Sequence, residues 1–154
     1  MNGLNNRIPP PLIAFLCALL MWLGAQQWSF NLQVAFPWRL GIALPIMLLG
    51  VLLSMAGMRL FKQVRTTFSP LKPQKASALV TSGVYQYTRN PMYLGIAVVL
   101  LAWTLLLAWP PALLGVVGFV LYMNRFQISA EERALHALFG QDFAQYCARV
   151  RRWV

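Results

Sequence analysis

From Ile8 to Trp38 the chain carries no charged residue, and two further charge-free runs follow, Leu40–Met58 and Asn90–Asn124. Such runs match the ~20 residues a helix needs to cross a hydrocarbon core of ~30 Å. They also exceed what a core helix of a soluble domain carries. The pattern predicts four helices, from about Leu12 to Trp28, from about Trp38 to Phe61, from about Met92 to Trp109, and from residue 112 to about Phe126. Asn31 and Pro37 mark the turn between the first two, and Pro110-Pro111 folds the last two into a tight hairpin. Each hairpin arm is barely long enough to cross, so either it has little room to tilt or the hairpin sits partly re-entrant among the other helices. No internal repeat or low-complexity tract is present, and residues 1–154 read as one membrane domain. The first run continues from Leu12 through Trp28 without a small-x-small cleavage site, so it is expected to stay as a helix.

The segment 62–91 lacks a long apolar period and carries Pro70, Pro73 and Gly83, the pattern of an ordered loop. Leu79-Val80-Thr81 followed by Ser82-Gly83 predicts a short extended piece and a turn, since Gly83 permits positive φ. Tyr85 and Tyr87 also suit an interfacial aromatic belt. Arg89, Asn90, Pro91, Tyr93 and Gly95 then fall in register at the mouth of the third helix. A helix that only anchors has no use for that cluster, so a ligand is expected where water meets lipid.

The tail 129–154 is a second informative stretch. Leu135, Leu138 or Phe139, Phe143, Tyr146, Val150 and Trp153 recur at three-to-four-residue spacing, the stripe of an amphipathic helix that Gly140 could bend. Ser129 with Glu132 three residues on is a capping-box pattern. Glu131 would sit where a helix dipole favours an acid. It is also one of only three acidic residues in the chain, and an acid at the bilayer face is a candidate ligand contact.

The formal net charge of +10 changes the picture only through where the charges lie. Lys62, Arg65, Lys72, Lys75 and Arg89 fill the central loop, and Arg125, Arg133, Arg149, Arg151 and Arg152 fill the tail. The positive-inside rule puts both on the cytoplasmic side, with Arg7 adding a cytoplasmic N-terminus; Arg39 is the one basic residue on the other side. These charges answer to topology and anionic lipid head groups rather than to nucleic acid. Cys17, Cys147 and His136 form neither a disulfide framework nor a metal cluster. The membrane-embedded stretches hold no Asp, Glu or Lys, which argues against an ion pathway.

LVTSGVYQYTRNPMYLG together with EERALHALFGQDFAQYCARVRRW resembles the isoprenylcysteine carboxyl methyltransferase and phospholipid methyltransferase family, integral membrane enzymes that use S-adenosylmethionine. The family pattern runs approximately LVTxGxYxxxRHPxYxG, a helical hairpin, then EExxLxxxFGxxYxxYxxxVxR, and both halves match in order and spacing over about Ser77 to Arg152. The resemblance implies that Ser77, Ala78, Leu79, Val80, Tyr85 and the block Arg89, Asn90, Pro91, Met92 and Tyr93 line a cofactor pocket closed by Glu131. Three departures bear on this. A His that often begins the first segment is Ser77, and the His of the Arg-His-Pro block is Asn90, which can bind but cannot titrate near neutral pH. The Arg associated with substrate in the isoprenylcysteine enzymes is Gln127, with Arg125 close by, so these two are the candidate substrate contacts.

Methyl transfer needs two partners held in line and water excluded, with no metal. Glu131 suits a cationic cofactor or its ribose, and Arg89 an anionic group of either ligand. An amine acceptor must also lose a proton, for which Glu132 or Tyr93 are the nearby candidates. The expected partners are a lipophilic acceptor entering between helices and the membrane lipids themselves. Two other classes stay open. Sterol reductases share this C-terminal architecture but carry many more spans, and a non-enzymatic or catalytically inactive module of the same family would keep the fold without the chemistry.

Overall fold

The computed structural model describes residues 8–28, 31–63 and 78–154; Ser77 and the basic residues Arg7, Arg65, Lys72 and Lys75 lie outside them. The described chain is helical without strands: α1 Pro10–Gln27, α2 Phe36–Gln63, α3 Pro91–Leu107, α4 Leu113–Tyr122 and α5 Ser129–Arg149, with 3₁₀ turns at Gly83–Gln86 and Pro110–Ala112 and a π-helical turn at Met123–Ile128. Three helical stretches are long and apolar enough to span a bilayer, Pro10–Gln27, Phe36–Lys62 and Pro110–Arg149. The remaining helix, α3, is apolar but has 17 residues, ~26 Å at ~1.5 Å per residue. It is the short arm of the expected hairpin.

Prolines set two starts. Pro10 and Pro91 occupy the first turns of α1 and α3, where a missing N–H is no loss. The hairpin turns at Ala108, a left-handed residue (φ 49°) whose N–H bonds back to Thr104 and Leu105 and whose carbonyl accepts from Leu32 at 2.7 Å. Pro110 then starts the return arm. Trp109 stacks on Trp28 with ring centroids 5.8 Å apart, tying the hairpin tip to the end of α1.

Three expectations need correction. Pro37 lies inside the first turn of α2 rather than in the preceding turn, because proline is tolerated there. Helix four does not end near Phe126; the π turn carries it without a break into α5. The capping box fails for the same reason. Ser129 is already helical, its Oγ donates to the Asn124 carbonyl at 2.6 Å, and the position before the start of α5, Ile128, has helical angles with no side-chain cap. No free helix N-terminus exists there for Glu132 to cap. Only at Gly140 (φ 48°, ψ −116°) does the helix break, as the sequence suggests.

α3 sits centrally, with α2 along one side and α1 and α4 on the other. The α2–α3 contact is backbone to backbone. A Cβ on Gly95 would collide with the Gly50 carbonyl and Ser54 Oγ, and one on Gly50 would lie 2.6 Å from the Gly95 carbonyl. Ser54 Oγ donates to the Met92 carbonyl at 3.1 Å across this seam. Small residues at this spacing let membrane helices meet closely, where dispersion rather than water exclusion drives association. The seam fixes the start of α3, and hence Arg89 to Tyr93, against the end of α2. We expect Gly95→Val to lower stability in detergent by ~1–3 kcal/mol through overpacking, read by thermal unfolding. Gly118→Val, whose Cβ would meet nothing within 4 Å, should change little.

Candidate active site

The end of α2, the 78–90 segment, the start of α3 and α5 converge on one cavity. Its walls are Phe61, Ala78, Leu79, Val80, Tyr85, Arg89, Asn90, Met92, Tyr93, Glu131, Glu132, Leu135, Phe143 and Tyr146. It is a narrow cleft of about 650 Å³ counted with its open mouth. From Pro110 to Ile128 the chain rises ~28 Å, close to the ~30 Å of a hydrocarbon layer. Glu131 and Glu132 follow that stretch on the same helix.

Local structure explains each position. Gly83 adopts φ 58° and opens a 3₁₀ turn that buries Tyr85. Tyr85 meets Phe61 edge-on at 5.4 Å, and its carbonyl accepts from Tyr146 OH at 2.7 Å. Burial pushes the Tyr85 hydroxyl well above its ordinary range, so it remains a neutral donor. Asn90 precedes α3 without capping it; its Nδ2 donates to the Arg152 carbonyl at 2.9 Å.

Two carboxylates face the cleft in different company. Glu131 Oε1 accepts from Tyr93 OH at 2.5 Å and from Gln127 Nε2 at 2.6 Å, one turn away on the same helix. Burial pushes its carboxyl up to about 7, while the bonds from Tyr93 and Gln127 pull the other way. Glu132 instead meets Arg89 Nη2 at 3.0 Å and takes Arg152 Nη2 and Nε at 2.5 and 3.2 Å. Adjacent residues on one helix thus present a buried carboxyl with a raised pKa and a carboxylate paired with two guanidinium groups.

The residues expected at the cofactor pocket, Ala78, Leu79, Val80, Tyr85, Asn90, Met92, Tyr93 and Glu131, share the walls of this cleft, as do Arg89 and Glu132. Pro91 is buried at the start of α3 behind it. Arg125 and Gln127 are not among its walls. Arg125 is exposed on the π turn, and Gln127 is fully buried against Glu131, supporting the site from behind. Phe61, Leu135, Phe143 and Tyr146 complete the walls. The tail stripe marked the last three as inward-facing without marking them as cleft residues, and no signal marked Phe61. Among the described residues no group of His, Cys, Asp and Glu could hold a metal ion.

The family model described as phospholipid methyltransferase matches residues 38–142, more than half of the chain. The chain belongs to the phospholipid methyltransferase family. An uncharacterized protein of Haemophilus influenzae is 48% identical over 63 residues, 41% of this chain and 100% of that protein. Membership, with the apolar helices, makes the chain an integral membrane methyltransferase in general terms. Within the phospholipid methyltransferase match fall α3, the π turn and both cleft carboxylates.

The raised Glu131 carboxyl has a stability consequence. Between pH ~4.5 and ~7 the folded protein holds a proton there that the unfolded chain has released, so ionising this group erodes stability as pH rises through that window. Glu131→Gln should flatten the stability curve between those values in denaturant titrations. An unchanged slope would contradict the burial of a neutral acid at this position.

Proposed function

We propose that the chain transfers a methyl group from S-adenosylmethionine to a lipophilic acceptor at the membrane boundary. The observation that carries this is the single cleft whose walls combine aromatic faces (Phe61, Tyr85, Phe143, Tyr146), an uncommitted-charge acid (Glu131) and a cation (Arg89) at the end of a membrane hairpin. Aromatic walls suit a purine, Glu131 suits a sulfonium or a ribose, and Arg89 suits a carboxylate, so the donor set fits the cofactor. When bound, that cofactor supplies an electrophilic methyl carbon on a positively charged sulfur.

What the chain itself contributes is positioning, dryness and a proton acceptor. Tyr93 and Gln127 hold Glu131 in one orientation, which favours near-attack geometry. Met92, Leu135 and Phe143 give the cleft an apolar side that excludes water and matches an acceptor arriving from lipid. For an amine acceptor the proton has to leave before transfer, and Glu131, poised near neutrality with Tyr93 in contact, is better placed to take it than Glu132, whose oxygens are occupied by two guanidinium groups.

The acceptor class we favour is a lipid bearing an anionic group close to a nucleophile. Behind the Arg89–Glu132 pair lies a second, open cleft lined by Ser129, Arg133, His136, Phe143 and Cys147. Its basic side chains complement a phosphate or carboxylate while the reacting end reaches past Arg89. By the positive-inside rule, the basic charge of the sequence between α2 and α3 and of the tail supports a cytoplasmic cleft mouth. The protein reconstituted in vesicles with methyl-labelled S-adenosylmethionine should label a lipid-extractable product. Glu131→Gln and Arg89→Ala should each reduce the rate by at least ~100-fold, the scale of lost positioning or acid–base assistance. Labelling unaffected by both variants would overturn the assignment of this cleft.

A further inference from the structure

The residues that follow α5 are tied to residues that line the cleft. Arg89 N–H donates to the Arg151 carbonyl at 3.0 Å, and the Arg152 carbonyl accepts from Asn90 Nδ2 at 2.9 Å and Thr88 Oγ1 at 3.4 Å. The Arg152 side chain turns the other way. Its Nε and Nη2 fork onto Glu132, and its Nη1 reaches Asn124 Oδ1 at 3.3 Å, an oxygen that also accepts from Trp153 Nε1 at 3.0 Å. Five hydrogen bonds to side chains and backbone of α3's entry and the π turn therefore hold a segment that has left α5 and is no longer helical.

The charge arithmetic is what gives this segment a role. Arg89, Glu132 and Arg152 form a cluster of two cations and one anion, so one positive charge is left over. Arg152 takes the geometrically better share of Glu132, two contacts against one, and is the more exposed of the two cations at 34% against 15% for Arg89. Arg89 lines the cleft and its Nε is buried without a partner among the described residues. A guanidinium that shares its carboxylate keeps attraction for a second anion, whereas one paired alone is neutralised.

We propose that Arg152 is a positioning residue for the cofactor: by occupying Glu132 it leaves Arg89 charged toward the cleft, where Arg89 receives the carboxylate of the bound cofactor. The inference rests on the cofactor reading above. The substitution of Asn90 for the family's His finds its use here, since its amide donor fastens the Arg152 backbone rather than taking part in proton transfer.

The test is calorimetry on the full chain in detergent, with S-adenosylhomocysteine and with 5′-methylthioadenosine, which keeps the nucleoside and lacks the carboxylate. Wild type should bind S-adenosylhomocysteine the more tightly. Arg152→Gln should weaken S-adenosylhomocysteine by roughly tenfold, the effect of removing one nearby charge across a partly solvated boundary, and leave methylthioadenosine unchanged. Arg152→Lys, which keeps the charge and loses the fork, should fall between, and carries the same reading if Arg152→Gln does not fold. Equal weakening of both ligands would make Arg152 a structural tie and overturn the proposal. So would an unchanged preference for the carboxylate ligand. Absence of binding by well-folded wild type would remove the cofactor reading itself, a result distinct from either.

Discussion

Glu132 is the point on which the site depends. Its carboxylate joins three parts of the chain that are far apart in sequence: Arg89, two residues ahead of α3, the first turn of α5 that carries Glu132 itself, and Arg152 beyond the end of α5. Each charge-assisted bond is worth ~1.5–3 kcal/mol when shielded, and less for groups as exposed as these. The value lies less in energy than in geometry. A carboxylate shared between two planar forks has few orientations left, so Arg89 and the helix that follows it are set relative to α5.

That constraint works because the helices arrive in the right places. The Gly50–Gly95 seam sets α3 against α2, and the Trp28–Trp109 stack with the Ala108 turn sets the hairpin against α1. The hairpin return arm, part of a stretch long and apolar enough to span a bilayer, continues through the π turn directly into the helix that carries Glu131. π-helical turns interrupt α-helices at functional sites with some frequency. Here the turn places Asn124, Gln127 and Ser129 so that each bonds a site residue or the turn itself. The acids of the site are thus an extension of a membrane helix and share its rigidity.

The helical membrane architecture was legible because hydrocarbon imposes length and composition on any helix that crosses it. Much of the cleft was legible too, since Arg89 to Tyr93 and Glu131 lie in two motifs whose spacing is local. Glu132 misled for a physical reason. Ser-x-x-Glu caps a helix only where a helix begins, and whether one begins at Ser129 depends on the hydrogen bonding of the residues before it, which the π turn supplies. Asn124 carried no local pattern, and Arg152, although it closes the second motif, carried no sign of its partner; that contact joins residues 28 apart in sequence. Gln127 illustrates the same point, since its spacing from Glu131 is helical but its full burial depends on the surrounding bundle.

The central claim is that this cleft binds the methyl donor. Hydrogen exchange of the full chain with and without S-adenosylhomocysteine tests it most directly. The account predicts slowed exchange in residues 78–93 and 131–146, the two stretches that supply nearly all the cleft walls, with α1 unchanged. Protection centred on the opposite end, around Arg39 and the Ala108 turn, or no protection in folded protein, would contradict it.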